Sequence, residues 1–485
     1  MNGTNPFGRG PKRRPGRETA ASGPIPLPAG SRRLLAFYGD DFTGSTDVLE
    51  ALFHAGLAAA LFLEPPAEER LTGRFAALDA IGVAGVGRSL SPEAMERELP
   101  PILRRLQSLR PALVHYKVCS TFDSSPSVGS IGKAAALGRN VWSGGRFVPV
   151  LAGAPYLGRY TVFGNHFAAA GGEVNRLDRH PTMARHPATP MTEADLRRHL
   201  REQTELTVSL LDVLALAGTD EEAENRLETL LQSEKPALVL FDALDEAGMK
   251  TAGHLIWREA LRTAGGLFVV GSSGVEDALA ACWGRGGRGR ASPPSARIAS
   301  VDRLLVVSGS CSPATSRQIQ RALAAGFAGI RIPAARLARP ETAEQARAEL
   351  LDEARAMLRA GRSVVLYSAS GPEDPAIAEL RETLGGLGLA PEDSSRLLGA
   401  ELGRLSRTLV GEMNLKRLLV AGGDTSGYVV RELGARALEC VSALAPGAPL
   451  IRASAADPGV DGLELVLKGG QVGGDDFFTK VREGG

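Results

Sequence analysis

The fold of this chain is indicated first by the stretch RLLAFYGDDFTGSTDVLEAL, residues 33–52, in which an apolar run meets a helical pattern through a polar turn. The apolar run predicts a β-strand, and the apolar spacing after the turn predicts an amphipathic helix. One capping side chain would satisfy such a turn, yet Asp40, Asp41 and Asp47 all lie in or just after it. Because neighbouring carboxylates repel one another, the cluster predicts a cation or a hydroxyl-rich ligand among them.

The alternation of short apolar runs with helical stretches continues along the chain. Runs such as ALVHYKV, VPVLAGA, PALVLFDAL and LFVVGSSG are predicted strands, and connections of helical length separate them. Crossovers of this length favour parallel strands with helices on both faces of the sheet. A chain of 485 residues is also too long for one core. We therefore predict an α/β fold of two α/β domains with largely parallel sheets and an active site in the interdomain cleft.

Composition predicts where these domains begin and end. Residues 1–30 are rich in Gly, Pro and Arg, which is typical of a disordered basic tail. Residues 284–300, GRGGRGRASPPSARIAS, have the composition of a linker. The predicted domains are therefore residues 31–283 and residues 301–485.

Bulk properties exclude several classes of partner. The formal net charge is +1, so no overall field attracts nucleic acid or anionic lipid. No apolar run approaches the roughly 20 residues of a membrane helix. The four cysteines are far apart and form no CxxC pair, which fits reduced thiols. We expect a cytoplasmic protein with neither a nucleic-acid nor a membrane partner, and a homodimer is compatible with the sequence.

Three predicted strands of the C-terminal half end in turns rich in glycine and hydroxyl side chains: VVSGSCSPATS, LLVAGGDTSG and LVLKGGQVGG. Glycine lets backbone N–H groups approach a ligand, and a following helix directs its positive end there, which suits phosphate. One such turn is a common connector, but three predict an anion or nucleotide cleft. Neither a P-loop motif nor a GxGxxG motif after a strand is present. The predicted nucleotide-binding residues are Ser308, Gly309, Ser310, Ser312, Gly422, Gly423, Asp424, Thr425, Ser426, Gly427, Gly470 and Gly473.

Polar blocks of the N-terminal half have a different character. In YKVCSTFDSS, Lys117 suits a carboxylate or phosphate, whereas Asp123 and the neighbouring hydroxyls suit a polyol. Helix capping would account for only one or two of these residues. The basic, histidine-bearing span 176–186 is either a solvated connector or a ligand of an anionic substrate, and it contains no HExxH metal motif. The predicted substrate-binding residues are Asp40, Asp41, Thr43, Lys117, Ser120, Thr121, Asp123, Ser124, Arg159, Asn165 and His166.

With these blocks in order, the sequence resembles the four-carbon acid sugar kinase family, which couples an N-terminal sugar-acid-binding domain to a C-terminal nucleotide-binding domain. YGDDFTGSTD is similar to its DD-x-TG-x-x-D signature, and YKVCSTFDSS is similar to its K-x-CSTFDS block. VSGSCS, AGGDTSG and LKGGQVGGDDFF resemble its three C-terminal blocks. The likeness spans roughly residues 33–480 and departs at Gly470 and Gln471, where Gly–Asn is commoner.

The resemblance implies an ATP-dependent kinase that phosphorylates a hydroxyl of a small sugar acid, either four-carbon or branched, such as 3-oxo-tetronate or 3-oxo-isoapionate. It implies ATP in the C-terminal turns with Mg²⁺ on its phosphates. Lys117 and an arginine between residues 159 and 185 would face the substrate carboxylate. Asp41 by preference, or Asp40 or Asp424, would accept the proton of the attacking hydroxyl or hold the metal.

Two other functions are compatible with parts of the pattern. An NAD-dependent dehydrogenase or epimerase of sugar acids would use the C-terminal glycine turns for NAD, but it lacks the dinucleotide fingerprint. A non-catalytic sugar-acid sensor with a nucleic-acid-binding tail would leave the three phosphate-type turns unexplained.

Overall fold

The structure is a computed structural model that describes residues 25–186, 188–285, 298–390 and 393–485. Most of the predicted tail and of the predicted linker, residues 1–24 and 286–297, therefore lies outside the described residues.

The N-terminal half alternates strands and helices from residue 33 to residue 282. Its elements are β1 (Arg33–Gly39), α1 (Phe42–His54), β2 (Ala59–Phe62), β3 (Ala80–Ala84), α2 (Pro92–Ser108), β4 (Pro111–Lys117), α3 (Ile131–Val141), β5 (Val148–Leu151), β6 (Arg159–Val162), β7 (Asn165–Ala170), β8 (Glu173–Arg176), α4 (Leu196–Arg201), β9 (Val208–Leu211), α5 (Asp220–Glu234), β10 (Leu238–Phe241), α6 (Glu246–Arg262), β11 (Leu267–Gly271) and α7 (Gly274–Cys282).

The C-terminal half continues the alternation and adds one long hairpin. Its elements are β12 (Leu305–Ser308), α8 (Pro313–Ala324), β13 (Ala328–Arg331), α9 (Ala334–Ala338), α10 (Pro340–Arg359), β14 (Val364–Tyr367), α11 (Pro375–Gly386), α12 (Asp393–Met413), β15 (Arg417–Ala421), α13 (Gly423–Glu432), β16 (Ala435–Ala445), β17 (Ala448–Ala455), β18 (Glu464–Lys468) and α14 (Phe477–Glu483).

Within the described residues, fifteen strands form one sheet in the order β13-β14-β12-β15-β18-β17-β16-β2-β3-β1-β4-β11-β5-β10-β9. Pairing is parallel throughout the N-terminal strands of this sheet and among β13, β14, β12, β15 and β18, whereas β17 pairs antiparallel with both β18 and β16. Strands such as β1, β4 and β11 are buried along their whole length because helices cover both faces. The predicted α/β class with largely parallel strands is confirmed. The joining of the two halves into one sheet was not predicted.

The join between the halves is the antiparallel pair β16–β2, in which Ala437 lies opposite Phe62 and Leu438 opposite Leu61. The parallel strands of the two halves therefore run in opposite directions at this seam. Six strand-to-strand steps separate β15 from β1. At about −20 to −25° a step, they accumulate roughly 120–150° of twist, which turns the carboxyl ends of the two parallel sets towards each other.

Helix α1 is the element of the N-terminal half that contacts the C-terminal half along its length. It packs against α13, β16 and β17. A Cβ atom placed on Gly427 of α13 would lie 3.3 Å from the Cβ of Phe42, so glycine permits the close approach. At the middle of α1, the buried Glu50 accepts a hydrogen bond of 2.8 Å from the backbone N–H of Gly447. The residues at the beginning of α1 are thereby fixed next to the C-terminal half.

A three-stranded antiparallel sheet, β6-β7-β8, lies beside the main sheet of the N-terminal half in the described part of the chain. Its own small core consists of Ala168, Leu177, Met183, Met191 and Ala194. None of the helices in the described ranges is both long and apolar enough to cross a bilayer.

Candidate active site

Asp41 is the residue that begins helix α1. Its backbone is extended, with φ −140° and ψ 164°, and its carboxylate accepts hydrogen bonds of 2.9 Å from the Gly44 N–H and from the Thr43 hydroxyl. This is an N-cap, which satisfies an N–H group that the first helical turn leaves free. The helix thus begins directly after the second acid of the motif, earlier than the apolar pattern alone indicates.

Arg88 lies between two acids of the site, and the sequence analysis missed it. Its guanidinium pairs with Asp41 and, at 3.3 Å, with the Oδ2 atom of Asp123. The short helical turn that carries Arg88 follows β3, which lies next to β1 in the sheet. A single arginine after a strand carries no local signal. Arg88 could have been identified only from the position of β3 beside β1, which the sheet order shows.

The groups around Asp41 determine the ionisation state of its carboxyl. Burial alone would raise the pKa of its carboxyl, but the positive charges of Arg88 and Lys117 and the hydrogen bonds from Thr43 and Gly44 hold the pKa below its usual value. About a fifth of the side chain, 21%, is exposed. Asp41 is therefore an ionised carboxylate that solvent and a ligand can reach.

Asp40 differs from its neighbour Asp41 in both burial and pKa. It is 2% exposed, and its Oδ1 atom has no hydrogen-bond partner among the residues that the structure describes. Burial raises the pKa of the Asp40 carboxyl to about 7, against a smaller opposing effect of Arg88. The two acids of the motif are thus distinguished by burial, with Asp41 towards the solvent and Asp40 in the protein interior.

The raised pKa of Asp40 predicts how stability changes with pH. Because the pKa is about 7 in the folded state and about 3.9 in the unfolded chain, the folded state binds the extra proton between those values and loses stability as pH rises through them. Asp40→Asn cannot ionise, so it does not lose this stability. The melting temperature of the variant minus that of wild type should therefore be higher at pH 8 than at pH 5. Thermal unfolding at both pH values measures this difference, and a difference that does not change with pH would contradict it.

Lys117 lies beneath these acids and not on an exposed surface. It is 2% exposed, and its ammonium donates a hydrogen bond of 2.8 Å to the backbone oxygen of Val118. Its charge lowers the pKa of both Asp40 and Asp41. A Cβ atom on Gly44 would lie 3.0 Å from Lys117 Nζ and 2.2 Å from Asp41 Oδ1, which explains the glycine of this motif. In this structure Lys117 compensates the negative charge of Asp40 and Asp41 from the protein interior.

The loop after β4 brings further predicted residues to the acid cluster. The hydroxyl of Thr121 donates to Asp123, and the sulfur of Cys119 lies 3.0 Å from that hydroxyl oxygen. Ser124 is buried and lies 2.8 Å from Nε2 of His199 on α4, so it supports the loop from within. Asp123 and Thr121 therefore belong to the group around Arg88, whereas Ser124 lies behind it.

His166, on strand β7, holds the same loop from the other side. Its Nε2–H donates to the backbone oxygen of Ser120 at 2.8 Å, so its Nδ1 accepts from the hydroxyl of Thr161 at 2.9 Å. Burial lowers the pKa of His166 to about 4, and the ring is neutral. The structure thus joins His166 to the predicted substrate loop through the backbone of Ser120.

Arg159 and Asn165 make their contacts within the small sheet. The Arg159 guanidinium donates to the backbone oxygens of Leu157, Gly158 and Ala169. The Asn165 amide donates to the backbone oxygen of Phe163 at the tip of the hairpin. Neither makes a hydrogen bond to the Asp41–Arg88 cluster among the described residues.

The three glycine-rich turns of the C-terminal half converge in space. Ser312 caps α8, and its hydroxyl and that of Thr315 donate to the backbone oxygen of Gly470. A Cβ atom on Gly309 would lie 2.4 Å from the hydroxyl oxygen of Thr425, and one on Gly470 would lie 2.8 Å from that of Ser310. The turns are in contact because glycine leaves out the side chains that would separate them.

Other predicted residues of these turns have packing roles. The hydroxyl of Ser426 donates to the backbone oxygen of Gly422 at 2.7 Å, and Ser308 is buried at the end of β12. Gly473 has φ +88°, and a Cβ atom there would lie 2.7 Å from the ring of Phe477. Gln318 of α8, which the sequence analysis missed, places its amide nitrogen 3.0–3.1 Å from three consecutive backbone oxygens of residues 472–474. These contacts hold the backbone of the turns in place.

The beginnings of α1 and α13 meet at the boundary of the two halves. A Cβ atom on Gly423 would lie 3.8 Å from the hydroxyl oxygen of Thr43. Asp424, in the first turn of α13, is exposed. Both helices direct their positive N-terminal ends towards this point, which favours an anion there. The predicted substrate residues and the predicted nucleotide turns are therefore adjacent.

A cavity of about 160 Å³ opens beside Gly309 and Thr425. Its lining was not predicted from the sequence, because most of it comes from helices α11 and α12, whose lining residues do not directly follow a strand. The lining combines apolar side chains with hydroxyl groups: Ala369, Ile377, Leu380, Leu384 and Leu398, with Ser368, Ser394 and Ser395.

Comparisons with known proteins agree with this division of the chain. Residues 35–279 match the family model of a sugar-binding N-terminal domain, and residues 305–478 match that of a nucleotide-binding C-terminal domain. The chain is 44% identical to the 3-oxo-isoapionate kinase of Paraburkholderia graminis over 100% of its own length and 99% of that protein. It is 31% identical to the 3-oxo-tetronate kinase of Pseudomonas savastanoi pv. phaseolicola, covering 93% of this chain and 97% of that one. The crystal structure of a Salmonella typhimurium LT2 protein superposes with a TM-score of 0.72 at 26% identity, covering 92% of this chain and 98% of that chain.

Proposed function

Because this chain belongs to the four-carbon acid sugar kinase family and is an ATP-dependent kinase of small sugar acids, we propose that it transfers the γ-phosphoryl group to a branched 3-oxo acid at the meeting point of α1 and α13. The observation that carries this placement is the packing of α1 against α13, which brings the Thr43 hydroxyl oxygen to 3.8 Å from the position of a Cβ atom on Gly423 and so unites the acid cluster with the glycine turns. Phosphoryl transfer depends chiefly on positioning and on neutralising charge, and this boundary supplies both.

The choice of acceptor is supported by the relatives. The similar protein from Paraburkholderia graminis is a 3-oxo-isoapionate kinase and aligns over the whole chain, whereas the similar 3-oxo-tetronate kinases are more distant. We therefore propose 3-oxo-isoapionate, a branched acid, as the preferred acceptor and the four-carbon 3-oxo-tetronate as a poorer one.

ATP would occupy the C-terminal side of this boundary. The converging turns at Gly309, Gly422 and Gly470 offer backbone N–H groups and hydroxyls to the phosphates, and the adjoining helix N-termini favour negative charge. The neighbouring cavity would take the nucleoside, because its leucine side chains suit the faces of a purine and its serines offer hydrogen bonds.

Mg²⁺ would neutralise charge on the phosphate oxygens during transfer. Asp424 fits as its protein ligand, since it is an exposed carboxylate on the first turn of α13, where the phosphates would lie. Hard cations prefer such oxygen ligands and usually keep several waters.

Asp41 would receive the proton of the acceptor. As the hydroxyl oxygen forms its bond to the γ-phosphorus, the bond from that phosphorus to the bridging oxygen of ADP breaks, and the hydroxyl proton passes to the ionised Asp41 carboxylate. Asp41 is preferred over Asp40 because it is ionised and reachable, whereas Asp40 is buried. Asp123, Thr121 and Arg88 would hold the other oxygens of the acid.

Family membership favours the kinase over the dehydrogenase or epimerase and over the non-catalytic sensor. The homodimer, the cytoplasmic location and the domain limits at residues 31–283 and 301–485 stay predictions. Light scattering of the purified chain, cell fractionation and limited proteolysis would test them in turn.

The acceptor is tested by measuring ADP release from ATP and Mg²⁺ with a panel of C4 and branched C5 sugar acids. We expect 3-oxo-isoapionate to give the highest kcat/KM, about tenfold or more above 3-oxo-tetronate, because a pocket shaped for the extra carbon binds the smaller acid less well. A higher kcat/KM for the four-carbon acid would overturn the choice of acceptor. No ADP release with any member of the panel would overturn the proposed class of acceptor, a C4 or branched C5 sugar acid.

A further inference from the structure

Lys468 is a fully buried lysine at the carboxyl end of β18. It is 0% exposed, and its ammonium donates to the hydroxyl oxygen of Thr315 at 3.0 Å and to the backbone oxygen of Gly470 at 3.4 Å. Both partners are neutral dipoles, so neither compensates a full positive charge. A buried cation without a counter-ion is strongly disfavoured in proteins.

The other buried cations of the described residues all have a carboxylate nearby. Arg33 pairs with Glu68 at 3.4 Å, and Arg417 pairs with Glu464 at 2.6 Å. Lys117 acts on Asp40 and Asp41, whose pKa values it lowers. For Lys468, no carboxylate lies within salt-bridge distance anywhere in the described ranges. The described residues therefore supply no counter-charge to Lys468.

Lys468 is connected to each of the three glycine-rich turns. Thr315, which accepts from its ammonium, lies in the helix that Ser312 begins. The backbone oxygen of Lys468 accepts a hydrogen bond of 2.9 Å from the N–H of Gly422. Gly470, the third contact, is two residues along the chain. The ammonium therefore lies directly beneath the convergence of the turns, on the side away from solvent.

We propose that Lys468 is the positioning charge of the nucleotide site, and that the polyphosphate of ATP is the counter-ion that the described residues do not supply. This inference rests on the placement of ATP in the glycine-rich turns under the proposed function. Because Lys468 is buried, it acts on the phosphates through the low-dielectric interior and through Thr315 and Gly470, without touching them. A purely structural lysine would need only its two hydrogen bonds, so charge and hydrogen bonding can be separated by experiment.

The pH dependence of nucleotide binding follows from the same burial. Desolvation lowers the pKa of the Lys468 ammonium to about 8 in the nucleotide-free protein, and a bound polyanion would raise it again. Binding of ATP therefore takes up a proton above pH 8, and the affinity falls as pH rises through that range. We expect the Kd of wild type for ATP to increase roughly tenfold between pH 7.5 and 9.5.

The test compares two variants. Lys468→Gln can keep a hydrogen bond but loses the charge, whereas Lys416→Gln removes an exposed lysine that directly precedes the neighbouring strand β15. Calorimetric titration with ATP, ADP and adenosine varies the number of phosphate groups, and hence the negative charge of the ligand, while the nucleoside stays the same. For Lys468→Gln we expect Kd values about 30-fold higher for ATP, about tenfold higher for ADP and unchanged for adenosine. The increase with pH should also disappear. Lys416→Gln should behave as wild type throughout, and the KM for the sugar acid should not change.

Each outcome supports or overturns the inference. Equal loss for all three ligands, or wild-type ATP affinity in Lys468→Gln, would show that Lys468 is a packing residue. If Lys468→Gln does not fold, a flat wild-type Kd between pH 7.5 and 9.5 overturns the inference by itself. Failure of the proposed ATP site itself would give a different result, because ATP and adenosine would then not compete for one site on the wild-type protein.

Discussion

Replacing Asp41 by asparagine should lower kcat by about a thousandfold, within the range expected for the loss of a general base, while ATP affinity stays within about twofold of wild type. Asp41→Asn removes the charge that would take the hydroxyl proton. It retains a side-chain oxygen that can cap α1, so the helix and its packing against α13 should persist. Single-turnover ADP formation with saturating sugar acid measures the loss, and calorimetry measures ATP binding.

Asp40→Asn and Asp424→Asn are the matched variants for this experiment, because each removes one carboxylate from the same region. If Asp41→Asn keeps its turnover, Asp41 is not the base. A wild-type kcat/KM that rises with pH through about 7, and that loses this dependence in Asp40→Asn, would instead assign the proton to Asp40, whose pKa is about 7. No such rise is expected for Asp41, because its pKa is held below its usual value.

Gly422→Ala should weaken ATP binding by about a hundredfold, which corresponds to roughly 3 kcal/mol. Gly422 has φ +135°, a conformation that is strained for alanine. A Cβ atom there would lie 2.7 Å from the hydroxyl oxygen of Thr425 and 3.5 Å from the backbone nitrogen of Ser310. The substitution would therefore strain this turn and displace the Thr425 hydroxyl, which lies against the neighbouring turn at Gly309, and both turns are proposed to hold the phosphates. Titration of the variant with ATP measures the effect.

Gly434→Ala is the matched control, since Gly434 follows the other end of α13. Its φ is +72°, so alanine is strained there as well, but no described atom lies within 4 Å of the Cβ position. We expect Gly434→Ala to cost about 1 kcal/mol of stability and to leave ATP binding unchanged. If the two variants bind ATP equally well, the turn at Gly422 does not hold the nucleotide. Binding of the sugar acid should be retained in both.

Much of the candidate site could be predicted because its signals are local. A strand end places the residues that follow it at the edge of a sheet, so polar and glycine clusters directly after apolar runs indicated both the acid motif and the nucleotide turns. Arg88 and the lining of the cavity gave no such signal. They join the site only because β3 lies beside β1 and because α11 and α12 approach the turn at Gly309.

The α/β class, the order of the motifs and the residues at each strand end can be read from the sequence, since these depend on neighbours a few positions away. Three features depend on the tertiary structure: which acid is ionised, which lysine has no counter-ion among the described residues, and how the two halves meet. Burial separates Asp40 from Asp41, and the seam between β2 and β16 with the twist of the strands around it turns the two sets of carboxyl ends towards each other. Charge state and alignment depend on the dielectric surroundings and on the accumulated geometry of distant segments, which no short stretch of sequence contains.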